Sequence, residues 1–163
     1  MTVSLSQEGI DSLASEFFNR TADLACVTSQ DNLIRVNSRW AVVLGWDADS
    51  LLKAPLLDLV HPDDFDGMRH ALHAADETDE PTRFEARFLT AHGEWRILDW
   101  SSTVDPASGL VLSSARDVTT EREALNALAR VNQVFNALVN LQAGYINLGM
   151  TADWWQDALD ELV

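Results

Sequence analysis

Four histidines lie close to acidic residues in this chain: His61, His70, His73 and His92. After Pro62, the residues Asp66, His70, His73 and Glu77 recur at spacings of 4, 3 and 4, which on a helix sets all four along one stripe. Imidazoles and carboxylates so placed could hold Zn²⁺ or Ni²⁺. The opposite stripe of the same helix carries Phe65, Met68, Leu72 and Ala75, which must face the core. The histidine stripe is therefore expected to face water and to bind no metal.

Acids, bases and hydroxyls are plentiful, yet they fall into no catalytic frame. The chain holds no Gly-x-Ser-x-Gly elbow, no His-Glu-x-x-His pair and no glycine-rich phosphate loop. Asp63, Asp64 and Asp66 follow Pro62 and read as charges at the positive end of a helix. Cys26 is the single cysteine, which removes an intrachain disulfide and any Cys-x-x-Cys metal site. No enzymatic activity is expected.

Composition narrows the partners. Against 26 acidic side chains stand 11 basic ones, for a net charge of -15, and Lys53 is the sole lysine. Nucleic acid and anionic membrane both reward clustered positive charge, so neither is an expected partner. The longest uncharged stretch, residues 131–152, is broken by Asn, Gln, Gly and Thr and is too polar to span a bilayer. No signal-type segment precedes the first helix, so a cytoplasmic location is expected, with a membrane anchor outside this chain left open. At 163 residues, 47% hydrophobic and 23% charged, the chain suits one folded domain plus extensions.

The elements that would position these residues follow from periodicity and turn chemistry. Residues 7–20 predict an amphipathic helix with Ile10, Leu13, Phe17 and Phe18 near one face. Leu24–Thr28 and Leu33–Val36 flank a Ser-Gln-Asp-Asn turn and predict a hairpin. A short helix over Ser38–Leu44 stops at Gly45, and another runs from His61 to about Ala75. Thr82–Leu89, Glu94–Val104 and Leu110–Asp117 predict three strands that pair in sequence as an antiparallel meander. From Thr119 the period changes to that of a helix: Leu128, Val131, Phe135 and Leu138 take alternating a and d positions, as in a coiled coil. Thr151-Ala-Asp would cap a last helix carrying Trp154, Trp155, Leu159 and Leu162.

Several segments resemble the PAS sensory family, in the right order over roughly residues 10–123. "LIRVNSRW" followed by "LGW" is similar to its second strand and first small helix, and "DLVHPDDFDGM" to the opening of its long F helix. "FEARFLTAHGEWRILDWSS" resembles its G and H strands, and "GLVLSSARDVTTERE" its last strand with the closing Asp-(Ile/Val)-Thr motif, here Asp117, Val118 and Thr119. The tail "LQAGYINLGMTADWWQDALDEL" is similar to the lead-in helix of a GAF domain. The resemblance implies an α+β PAS fold, a five-stranded antiparallel sheet with short helices on one face, flanked by N-terminal and C-terminal helices. It divides the chain into an N-terminal helix (1–20), a PAS domain (21–118), a signalling helix (119–143) and a terminal helix (144–163).

The same resemblance implies a small, largely apolar internal cavity and no catalytic machinery. Trp40, Leu44, Leu56, Met68, Leu72, Phe84, Phe88, Trp100 and Leu112 are the expected lining. Haem-binding relatives carry an axial histidine on the inner side of the F helix, a position that falls here at Arg69, so haem is not expected. Photochemical flavin relatives need a cysteine where this chain reads "KAPLLDLVHP", and Cys26 sits on the first strand instead. Redox FAD binding needs no cysteine; Trp40, Trp46 and Trp100 could stack on an isoalloxazine ring or serve as core aromatics. Asp117 and Thr119 are read as the relay from sheet to helix, with the Thr119 hydroxyl as helix N-cap and Arg83, Arg87 or Arg96 as partner of Asp117. The expected function is a sensory input domain of a multidomain signalling protein, a histidine kinase or cyclic-di-nucleotide enzyme. It would be homodimeric through Leu128, Val131, Phe135 and Leu138, with an output domain in the same polypeptide. Its alternatives are a redox sensor with FAD and a ligand-free dimerisation module.

Overall fold

In the computed structural model, residues 7–29, 32–77 and 80–147 are described, those at 7, 9, 10, 72–77 and 141–147 by their backbone alone. The chain begins with helix α1 (Gln7–Arg20), then strands β1 (Leu24–Ser29) and β2 (Asn32–Val36) and short helices α2 (Arg39–Val43) and α3 (Ala48–Leu51). Two 3₁₀ turns, Leu56–Leu59 and Pro62–Asp64, lead into α4 (Phe65–Glu77). Strands β3 (Thr82–Leu89), β4 (Trp95–Val104) and β5 (Val111–Asp117) follow, and α5 (Thr119–Asn147) leaves the sheet.

The five strands form one antiparallel sheet in the order β2-β1-β5-β4-β3. The hairpin and the meander are both present, and they join because β1 pairs with β5, setting Leu24 opposite Ala115. Turn chemistry fixes the connections. Gly45 closes α2 at φ +77°, where its amide donates to the carbonyl of Ala41. Gly93 holds φ +84° in the β3–β4 turn, beside the backbone pair Thr90 N to Glu94 O at 2.8 Å.

Side-chain alternation splits the sheet into two faces. The inner face carries Leu24, Cys26, Ala86, Phe88, Leu98, Trp100 and Ala115, each nearly excluded from water. Against it pack Trp40 and Leu44 from the α2 segment, Leu51 from α3, Leu56, Leu59 and Val60 from the turn, and Met68 from α4. Burial of this set is what holds the short helices to the sheet, since each helix is too short to be stable alone. The chain divides into two units, residues 1–120 and 121–163. In the first, Asn37 is a buried hub that the sequence reading did not single out. Its side-chain oxygen accepts from Ala25 N, and its amide donates to the carbonyls of Phe18 and Asp23.

Helix α5 continues without interruption to Asn147, past the boundary expected between residues 143 and 144. On α1, Phe17 is 78% exposed while Phe18 is half-buried, so the predicted apolar face is not buried as one stripe. The expected terminal helix and GAF-like lead-in over residues 148–163 lie outside the described residues. No helix among the described residues is long and apolar enough to cross a membrane.

Candidate functional site

Trp100 occupies the middle of the inner face. Phe84 stacks parallel to it at 6.1 Å between ring centroids, Phe88 lies tilted at 5.0 Å and Trp40 at 6.0 Å. Their positions follow from register: Phe84 is directly opposite Trp100 across β3 and β4, and Ala115 opposite it on β5 leaves room for the indole. Of the nine expected lining residues, Trp40, Leu44, Leu56, Met68, Phe88 and Trp100 are buried together, and Phe84 packs against them half-buried. The side chain of Leu72 lies outside the described residues.

Leu112 is a correction. It sits on the outer face of the sheet, 45% exposed, because its neighbours Ser113 and Ala115 take the inner positions of β5. There it lines a cavity of about 640 Å³ between α1 and the sheet, with Phe18, Val27 and Arg35. Arg35 spans that groove, its Nη2 donating to Ser15 Oγ at 2.7 Å and its guanidinium lying 4.5 Å over the Phe18 ring.

Polar groups in the core are few and mostly satisfied. Trp40 Nε1 donates to the carbonyl of Ala25 at 3.0 Å, and Trp46 Nε1 to that of Leu89 at 2.8 Å. The hydroxyls of Ser102 and Ser113 bond to each other at 2.8 Å. Burial pushes the Cys26 thiol up to about 12, a shift its hydrogen bond with Ser113 only partly opposes. Trp100 Nε1, by contrast, has no hydrogen-bond partner among the described residues, although Trp100 is 1% exposed.

The metal reading divides at α4. His70 and Asp66 are exposed, and His70 Nδ1 lies 3.1 Å from the carbonyl of Asp66 in its own helix; the side chains of His73 and Glu77 lie outside the described residues. Among the described residues no three metal-capable groups converge. Arg69, expected on the inner side of α4, is exposed, because Met68 takes the inward position one residue earlier. His61 accepts from the amide of Asp63 and packs edge-on against Trp95, while His92 sits beside Gly45. Of the tryptophans named for flavin stacking, Trp40 and Trp100 meet at 59°, and Phe84 and Phe88 pack on the Trp100 ring.

The junction between sheet and exit helix is built from Asp117 and Thr119. Asp117 Oδ1 accepts from Thr119 N at 3.0 Å and from Thr119 Oγ1 at 2.5 Å. Thr119 Oγ1 in turn accepts from the backbone N–H of Ile97 at 2.9 Å, and Val118 N donates to the carbonyl of Ile97 at 2.9 Å. In place of the expected helix cap, the hydroxyl ties the first residue of α5 to strand β4. The physical reason is the end of the β4–β5 ladder at Leu98 and Asp117, which leaves Ile97 to find partners beyond it. Of the three candidate arginines, Arg96 faces Asp117, at 3.8 Å. Arg87 is engaged elsewhere, holding Asp64 by two side-chain bonds of 2.7 and 2.9 Å.

An antiparallel five-stranded sheet with short helices on its inner face, an aromatic core and a helix leaving from the last strand makes a small α+β domain. Residues 33–111 match the family model described as the PAS fold, and this part of the chain is a PAS domain. Solved structures agree at the level of the fold. A PAS domain from Colwellia psychrerythraea is 20% identical with a TM-score of 0.62, covering 68% of this chain and 98% of that one. A domain of a sensory box sensor histidine kinase/response regulator from Geobacter sulfurreducens is 22% identical with a TM-score of 0.57, covering 69% and 97%. Drosophila melanogaster Cycle PAS-B, solved with bound ethylene glycol, is 12% identical with a TM-score of 0.53, covering 58% and 98%. Comparison with curated proteins returns no match.

Proposed function

We propose that this chain is a non-catalytic sensory input module, acting in the cytoplasm within a signalling protein of the histidine kinase or cyclic-di-nucleotide type. In this reading the core around Trp100 takes a small ligand, and α5 carries the response to an output domain in the same polypeptide. The supporting observation is the Thr119 bridge: the first residue of α5 is hydrogen-bonded to β4, the strand that holds Trp100 three residues further on. A shift of β4 on ligand entry would thus be felt at the start of the helix. The Geobacter structure, a domain of a sensor histidine kinase, and the small diol in Cycle PAS-B are compatible with this reading.

Transmission requires that α5 act on a partner, and a second copy is the proposed one. Leu128, Val131, Phe135 and Leu138 are each 58 to 64% exposed, an apolar seam that parallel pairing would bury. Analytical ultracentrifugation tests this. The expected result is a dimer at tens of micromolar that becomes a folded monomer in the double variant Leu128→Glu, Phe135→Glu, because charge in the seam is costly to bury. An unmutated chain that sediments as a monomer at that concentration would remove the dimeric relay.

A further inference from the structure

We propose that the groove between α1 and the outer face of the sheet is a binding site for a zwitterionic α-amino acid with an apolar side chain. Arg35 holds the carboxylate, Asp11 holds the ammonium, and the side chain lies on Phe18, Val27 and Leu112. The site is on the opposite side of the sheet from the core around Trp100, and it stands or falls without the sensory reading of that core.

The groove exists because of how α1 is turned. Asp11, Ala14, Ser15 and Phe18 line it, a stripe at helical spacing, while the larger apolar residues Leu13 and Phe17 stay outside it, 50% and 78% exposed. A helix that closes on a sheet turns its bulky apolar stripe inward. Here the stripe turned inward is mostly small or polar, and a cavity of about 640 Å³ remains between helix and sheet. Val27 and Leu112 give its floor an apolar surface.

Two charges of opposite sign border that floor. Arg35 is fixed by its 2.7 Å bond to Ser15 Oγ and by the Phe18 ring, whose centroid lies 4.5 Å from the guanidinium carbon. None of the ion pairs of the described residues involves Arg35, and its planar fork of five N–H donors keeps room to grip a carboxylate. Asp11 lines the same groove one turn before Ser15, about 6 Å along the helix axis, and a carboxylate offers several acceptor sites.

Charge balance decides among occupants. A lone carboxylate would meet Asp11 and a chain of net charge -15, and a lone amine would make no use of Arg35. A zwitterion carries no net charge, serves both residues and lays its side chain on the apolar floor.

The test uses L-leucine beside two analogues: isocaproate, which lacks the ammonium, and isoamylamine, which lacks the carboxylate. Each is titrated into the methyl-labelled chain, and the Leu112 methyl signals are followed. The expected result is saturable binding of leucine that moves these signals, with each analogue about fivefold weaker, the size of a partly exposed charge pair. Arg35→Gln should erase the advantage of leucine over isoamylamine but not over isocaproate, and Asp11→Asn should do the reverse. Leu112→Trp, which fills the groove and keeps both charges, should abolish leucine binding even if Arg35→Gln releases α1. Leucine that fails to bind, that binds Leu112→Trp as well as the unmutated chain, or whose advantages survive the two charge substitutions would overturn the site. The proposed function of the core would stand in each case.

Discussion

Thr119 Oγ1 accepts a hydrogen bond from the backbone N–H of Ile97 at 2.9 Å, so the residue that starts the exit helix also completes the end of strand β4. Thr119 is 8% exposed, and its hydroxyl donates a hydrogen bond to Asp117 Oδ1. Replacing Thr119 by valine keeps the shape but leaves Ile97 N–H without an acceptor. The expected cost is about 1–3 kcal/mol in urea unfolding, with faster hydrogen exchange at the Ile97 amide. Thr119→Ser should recover most of it. Equal stability of all three proteins would show that the bridge has no energetic role.

The two faces of the sheet make opposite predictions. Trp100→Ala empties the centre of the aromatic cluster and should destabilise by about 3–5 kcal/mol. Leu112→Ala, on the outer face and 45% exposed, should cost less than about 1 kcal/mol. Denaturant midpoints of the two variants decide it; a larger loss at Leu112 would mean that the faces are reversed.

Asp64 supplies a pH dependence. Its carboxyl is held below the usual carboxylate range, first by the side-chain hydrogen bonds from Arg87. A carboxylate whose folded value is depressed adds stability above its unfolded value, near 3.9, and that stability is lost as pH falls through the folded value. Asp64→Asn should therefore destabilise at pH 7, by about 1.5–3 kcal/mol, with the gap to the unmutated chain closing below about pH 4. Thermal melts of both proteins from pH 7 to pH 2 would check this, and a gap that widens on acidification would contradict it.

Cys26 should behave as an inert core residue. Its thiol is pushed up to about 12 by burial, so the nucleophilic thiolate is scarce at pH 8. Iodoacetamide is expected to leave the native chain unmodified over hours and to add one equivalent in urea. Rapid native alkylation would show that the β1 region opens readily.

Much of this domain was legible before its tertiary structure. The short strands, the glycine stop at Gly45, the inward Met68 and the helical period after Thr119 are local features, written in side-chain spacing and turn chemistry. The PAS resemblance, carried by four motifs in order, also matches the family model over residues 33–111. Trp40, Leu44, Phe88 and Trp100 share one cluster because large apolar side chains on such elements have one interior to fill.

What the sequence could not contain was the choice among equivalent surfaces. Strand β5 reads Val-Leu-Ser-Ser-Ala-Arg-Asp, in which the inward residues Ser113 and Ala115 are smaller than the outward Leu112. Alternation alone gives two answers there, and pairing with β1 and β4 selects one by placing Ala115 beside the Trp100 indole. The same assembly selects Arg96 for Asp117, commits Arg87 to Asp64, and turns the Thr119 hydroxyl from a local cap into a long-range acceptor. Local residue types therefore determined which elements form, because backbone preferences act over a few neighbours. Only the sheet order decided which side chains meet, because cross-strand partners are set by the register of segments far apart in the chain.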